Sequence, residues 1–267
     1  MPDLGLPDMS GLEVRGEVRA WSTARLNNLM RYLTVKAGLL ETKYDDAHLR
    51  RTFTAGARRL GLVSAVACVL VTCVYAVTLV AGLRSLPSPL EPIGDPFFSI
   101  LEILILVLMP AMVVLMGAVH AWAPPQRRVF SLIAVVFVSL LAGVTCSVHF
   151  VILTVGRHAA ASGAPGMPLL LSFTWPSVAY ALDILAWDVF FALCVLFAAP
   201  AFQGLGLARW IRASLVLSGA LALAGLSGVV AGDMRLRMIG VVGYVGVFPV
   251  AAGLMAVLFH RAPPRTN

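Results

Sequence analysis

Apolar residues run almost unbroken over 60–83, 98–121, 129–155, 174–198, 211–231 and 238–260. Each stretch reaches the roughly 20 residues that an α-helix needs to cross a 30 Å hydrocarbon core. Barrel strands would be about half as long and would alternate in polarity. The pattern therefore predicts six membrane-spanning helices, joined by loops 84–97, 122–128, 156–173, 199–210 and 232–237. No loop is long enough for a folded domain, so any chemistry must use residues within or at the rim of the spans. Segment 1–59 has no apolar signal-peptide core. In it Leu26, Leu29, Met30, Leu33 and Leu40 recur at helical spacing, with Arg25, Arg31, Lys36 and Lys43 between them, the pattern of a helix lying on a membrane surface. Asp45 or Asp46 is placed to cap a further helix running through Arg50 and Arg51 toward the first span. Residues 261–267 form a short tail.

Composition agrees with this pattern. Of 267 residues, 60% are hydrophobic and 12% charged, with a mean hydropathy of +0.90. That is too little charge to cover a water-soluble globule and too much hydrophobicity for a disordered chain. The expected fold class is all-α, a polytopic membrane protein with a bundle of six transmembrane helices. Sixteen of its twenty basic residues fall in 1–59, in or within two residues of the second and fourth loops, and in the C-terminal tail. Only Arg84, Arg157, Arg235 and Arg237 fall in the other loops. The positive-inside rule then predicts both termini in the cytoplasm, with the basic N-terminal segment drawn to anionic lipids at that face. The net charge of +7 thus needs no nucleic-acid partner. The same segment could dock a protein partner, and self-association into a homo-oligomer is a further expectation. Eighteen of the twenty basic residues are Arg, which suggests a GC-rich bacterial gene and a bacterial inner membrane.

Trp122, Trp175 and Trp210 fall at span ends, where interfacial anchors are expected. Cys68, Cys73, Cys146 and Cys194 lie inside apolar runs and read as small apolar residues. Three groups of small residues suggest close helix packing: Gly240, Gly243 and Gly246; Ser218, Gly225 and Gly228; and Ser139, Gly143 and Cys146. Pro110 and Pro249 are expected to kink their spans.

Ionisable side chains inside spans are costly and usually face a bundle interior or a cavity. This chain has Glu102, His149, Asp183 and Asp188, with His120 near the opposite boundary. Helical rise places Glu102, His149 and Asp183 about 6, 9 and 13 Å below one face of the bundle, and Asp188 about 21 Å below it. A polar pocket opening outward is therefore expected around Glu102, His149 and Asp183, lined by Tyr180, Thr145, Ser147 and Tyr244. Those three groups suit a divalent metal ion, a proton relay or general acid–base chemistry. A purely structural hydrogen-bond network is the alternative. Asp188, Met109, Met116 and His120 would mark an inward path, and Met109, Met112 and Met116 share a face on which thioethers would suit Cu(I). Two-histidine haem ligation fits poorly, because His120 and His149 lie near opposite faces.

No G-x-S-x-G, H-E-x-x-H or Walker A motif is present, and no lysine lies in the last span for a retinal Schiff base. The expected function is transport of a small solute, a proton or a metal ion. Its alternatives are an intramembrane enzyme acting on a lipid or isoprenoid, or a non-catalytic assembly or sensory subunit.

Overall fold

The computed structural model describes residue 32 and residues 53–88, 93–156 and 166–262. Tyr32 belongs to a separate unit, Met1–Asp46, and all other described residues to the unit Ala47–Asn267. Apart from Tyr32, the surface helix around Leu26–Leu40 and the cap at Asp45 or Asp46 therefore lie outside the described residues. So do Arg157, Gly163 and Pro165 of the third loop, and Arg265.

Among the described residues six helices are long and apolar enough to cross a membrane: α1 (Ala55–Arg84), α2 (Phe97–Trp122), α3 (Pro125–Gly156), α4 (Val178–Ala201), α5 (Leu207–Ala231) and α6 (Met234–Arg261). This is a multi-pass membrane protein, and no strand occurs among the described residues. Helix α1 starts five residues before the expected boundary, because the Thr54 hydroxyl accepts from the Ala57 N–H at 3.1 Å and caps it. Helix α4 starts later than expected, at Val178, where Ser177 is the cap. A short helix, Met167–Leu171, occupies part of the preceding loop.

Each helix packs against its chain neighbours, and α6 returns to α1, so the six form a closed ring. Helix α1 shows how lipid changes the usual sorting of residues. It buries Gly61, Ser64, Ala65, Cys68 and Thr72 and exposes Val63, Leu70, Val74 and Val77. In lipid large apolar side chains lose nothing by facing outward, and small ones let backbones approach. A Cβ on Gly61 would lie 2.9 Å from Ala118, and one on Gly82 would lie 3.2 Å from Phe97. These two contacts fix the antiparallel register of α1 on α2 and set Thr72 level with Val107.

The small-residue groups separate in the same way. In α6, Gly243 meets α5 so closely that a Cβ would lie 2.7 Å from the Ser218 carbonyl oxygen, and the Ser218 hydroxyl donates to the Gly243 carbonyl at 2.8 Å. Gly246 has no such neighbour, and Ser139 and Gly143 are exposed. Of the expected packing stripe on α3, only Cys146 packs against the core. Pro110 lies inside α2, and Pro249 lies two residues beyond the end of a π-helical segment of α6, Val242–Val247.

At the end of the ring carrying Thr54 and Arg261, Phe53 packs on Trp122 and Phe259 with centroids 5.1 and 5.3 Å apart, and Arg58 donates to the Ala262 carbonyl at 2.7 Å. Trp122 is thus part of an aromatic cluster, whereas Trp175 and Trp210 are exposed. The middle of the ring is filled by Met109, Met112, Leu115, Met116, Phe191 and Phe248, all nearly inaccessible.

Candidate functional site

The opposite end of the ring holds five buried ionisable side chains from four helices: Glu102 of α2, His149 of α3, Asp183 and Asp188 of α4, and Arg237 of α6. His149 lies between two acids. Its Nδ1 is 2.7 Å from Glu102 Oε2, and its Nε2 is 3.4 Å from Asp183 Oδ1, within ion-pair range but without a hydrogen bond. The Phe173 ring packs on the imidazole at a centroid distance of 5.2 Å. Arg237 joins the next pair of acids: Nη2 donates to Asp183 Oδ2 at 2.7 Å, and Nε donates to Asp188 Oδ2 at 3.1 Å. Its guanidinium also lies 4.6 Å above the Tyr180 ring, a favourable cation–π position.

The common depth expected of Glu102, His149 and Asp183 is therefore observed. Asp188 departs from expectation. At 100° per residue it would lie about 140° around the helix from Asp183 and belong to an inward path. Instead, α4 is π-helical over Leu185–Phe191. Spacing of i to i+5 brings residues five apart toward one face, so one guanidinium reaches both carboxylates. Asp188 thus belongs to the same cluster.

Arg237 was expected in a loop but is 7% exposed, inside the first turns of α6. The sequence held one signal for it. Three acids and one histidine within spans call for a cation at the same depth, and Arg84, Arg157, Arg235 and Arg237 were the available choices.

Apart from Asp188, the cluster forms the polar wall of a cavity of about 400 Å³, large enough for a small ligand. Glu102, His149, Tyr180, Asp183, Arg237, Tyr75 and Tyr244 line one part, and Leu79, Leu83, Ile105, Leu108, Val241 and Val245 another. Thr72 also lines it, 3% exposed, and its hydroxyl has no hydrogen-bond partner. Ser64, Thr78, Ser139 and Ser147 instead donate to the carbonyl four residues back on their own helices. Thr72 does not.

Several expected residues lie elsewhere. Ser147 is exposed, and Thr145 is buried with an unpartnered hydroxyl; neither lines this cavity. Met109 and Met116 are packed in the middle of the ring, and His120 Nδ1 lies 2.9 Å from the Ser131 hydroxyl near the far end. The expected inward stripe is thus packed core rather than cavity wall. Among the described residues no three His, Cys, Asp or Glu side chains are arranged to hold a metal ion. Glu102 and Asp183 approach opposite nitrogens of His149 instead of converging on one point. The chain matches no protein-family model, no curated protein and no solved structure.

The Asp188 carboxylate sits in a notch between glycines of α5 and α6. A Cβ on Gly240 would lie 2.7 Å from Asp188 Oδ1, and one on Gly225 3.2 Å from it. Gly240→Ala is therefore expected to push Asp188 off Arg237 and to lower stability by about 1–3 kcal/mol, the usual range for overpacking. Gly246→Ala, whose Cβ would meet only Val242 at 3.8 Å, is expected to unfold like the native chain. Thermal unfolding of both variants in detergent checks the pair, and equal behaviour would show that the notch tolerates a methyl group.

Proposed function

We propose that this protein binds an amphipathic molecule at one end of its helical ring and performs acid–base chemistry on that molecule's polar group. Supporting the reading is one observation: the polar groups gather at a single end, and the ring beneath them is packed with Met109, Met112, Met116, Phe191 and Phe248. A carrier needs polar groups continuing across the membrane. A site for a lipid-like substrate needs one polar wall beside an apolar one, as here.

The chemistry follows from the ring nitrogens of His149. A neutral imidazole has one N–H and one lone pair, yet both nitrogens face carboxylates. The set is therefore best satisfied by an imidazolium between two carboxylates, or by a neutral imidazole with one carboxyl group protonated. Both ring nitrogens are buried among these partners, so the group meeting the substrate is a carboxylate, Glu102 or Asp183. A substrate O–H or N–H bond breaks as the carboxylate takes the proton, and His149 carries it between the two acids. The reverse sequence returns it.

A second reading, a carrier for a small solute or protons, is favoured by the π-helical segments of α4 and α6, which carry Asp188 and Tyr244 and are a common feature of functional helices. Transport would require the methionine layer to part. In either reading we place both chain ends in the cytoplasm and the cavity toward the outside of a bacterial plasma membrane. With Arg237 inside the ring, the outer loops retain only Arg84, Arg157 and Arg235, which widens the basic asymmetry. The N-terminal segment is then a contact for anionic lipid or a protein partner.

The test is to incubate the purified protein with an amphiphile extract of its host membranes and to follow the species by mass spectrometry. The native chain is expected to convert one species, and Glu102→Gln to convert it far more slowly. Solute or proton flux in proteoliposomes without any conversion would overturn the enzymatic reading in favour of the carrier.

A further inference from the structure

The buried cluster, of which Asp188 lies behind the cavity wall and the other four members line it, does not balance its own charge. Glu102, Asp183 and Asp188 are three carboxylates; Arg237 and His149 are the buried groups able to oppose them. Even with His149 protonated, one negative charge is left over, and with His149 neutral, two. The remaining charged groups at this end among the described residues, Arg84, Asp95, Asp233 and Arg235, are exposed. Helix α1 brings Tyr75 to the wall, α4 brings Tyr180 and α6 brings Tyr244, while α5 meets the cluster through Gly225. An uncompensated charge in such surroundings is costly, so the site must take up a positive charge. A proton can do this, and so can a ligand.

The other lining residues suit an organic cation. Phe98, Phe173, Tyr180, Trp187 and Tyr244 line the same cavity as the acids, and ring faces attract ammonium groups. Below the acids the wall is apolar as far as Leu108, six residues or about 9 Å along α2 from Glu102. At that depth lies Thr72, whose buried hydroxyl has no hydrogen-bond partner.

We infer that the ligand of this cavity is an amphipathic cation, with an ammonium-type head among Glu102, Asp183 and the aromatic rings and an apolar body running down to Thr72. The inference rests on the proposed reading of the cavity as a ligand site and adds the charge class of the ligand. Binding the cation and binding a proton are then alternatives at one set of carboxylates.

The experiment compares three probes of equal chain length, decyltrimethylammonium, decyl sulfate and decanol, by calorimetric titration of the full chain in nanodiscs, with empty nanodiscs subtracted. The ammonium probe is expected to bind about ten- to a hundredfold more tightly than the other two, the range for interactions with charged groups. Glu102→Gln removes one carboxylate from the surplus and is expected to weaken the ammonium probe at least tenfold relative to decanol on the same variant. Sulfate or alcohol binding as tightly as the ammonium probe overturns the inference and leaves the cavity reading standing. No binding by any probe overturns both. A preference kept by Glu102→Gln overturns the assignment to these carboxylates. If Glu102→Gln also loses decanol, the ranking on the native chain decides.

Discussion

Arg237→Met is expected to destabilise the helical ring by about 3–5 kcal/mol, the range seen when one partner of a buried ion pair is removed. The guanidinium is the one donor group shared by Asp183 and Asp188, at 2.7 and 3.1 Å. Without it Asp188, which has no measurable exposure, has no cation within reach among the described residues. Asp188 Oδ1 already lacks a hydrogen-bond partner against Gly240, so the carboxylate cannot be satisfied by turning. Arg237→Lys is expected to fall between the two, because a point charge can serve one carboxylate but not span both as a planar fork does. Combining Arg237→Met with Asp188→Asn should recover part of the loss by removing one stranded charge. Denaturant titration in mixed micelles measures all three. A loss below about 1 kcal/mol for Arg237→Met, the level of an exposed surface pair, would show that the cluster is not a closed, buried network.

His149→Gln should leave the fold largely intact yet slow the proposed reaction by about a hundred- to ten-thousandfold, the usual contribution of a positioned acid–base group. Glutamine is similar in reach and can hydrogen-bond to one acid, but it cannot accept a proton from one carboxylate and pass it to the other. The relay between Glu102 and Asp183 is therefore cut while the helices α2, α3 and α4 keep their packing. Because His149 acts between carboxylates instead of touching substrate, the rate alone would not separate a relay from a structural tie. The pH–rate profile does: the native chain is expected to show two titrating limbs, and the variant to lose one. A variant with the native profile and rate would remove His149 from the mechanism.

Much of this architecture was legible in the chain itself. Six apolar runs of spanning length define six helices, since the hydrocarbon thickness sets the length of a span whatever its neighbours are. The shared level of Glu102, His149 and Asp183 also followed from rise per residue alone, and the ion-pair distances of 2.7 and 3.4 Å agree with it. The small residues were only half legible. Gly243 and Gly246 lie three residues apart on one helix, yet only Gly243 meets a neighbouring backbone. Sequence reports that a helix has a smooth strip but not which helix lies against it.

Local hydropathy determined the membrane class, the spans and the depth of the acids, because each depends on one helix and the bilayer. Tertiary structure decided the rest. Asp188 joined Asp183 because α4 widens into a π turn, so a constant angle per residue misplaced it. Arg237 became an interior cation because acids 49 and 54 residues away in the chain hold it there, and no local pattern encodes a partner at that distance. The methionine face of α2 became sealed core for the same reason: whether a stripe lines a path or fills one depends on the helices opposite.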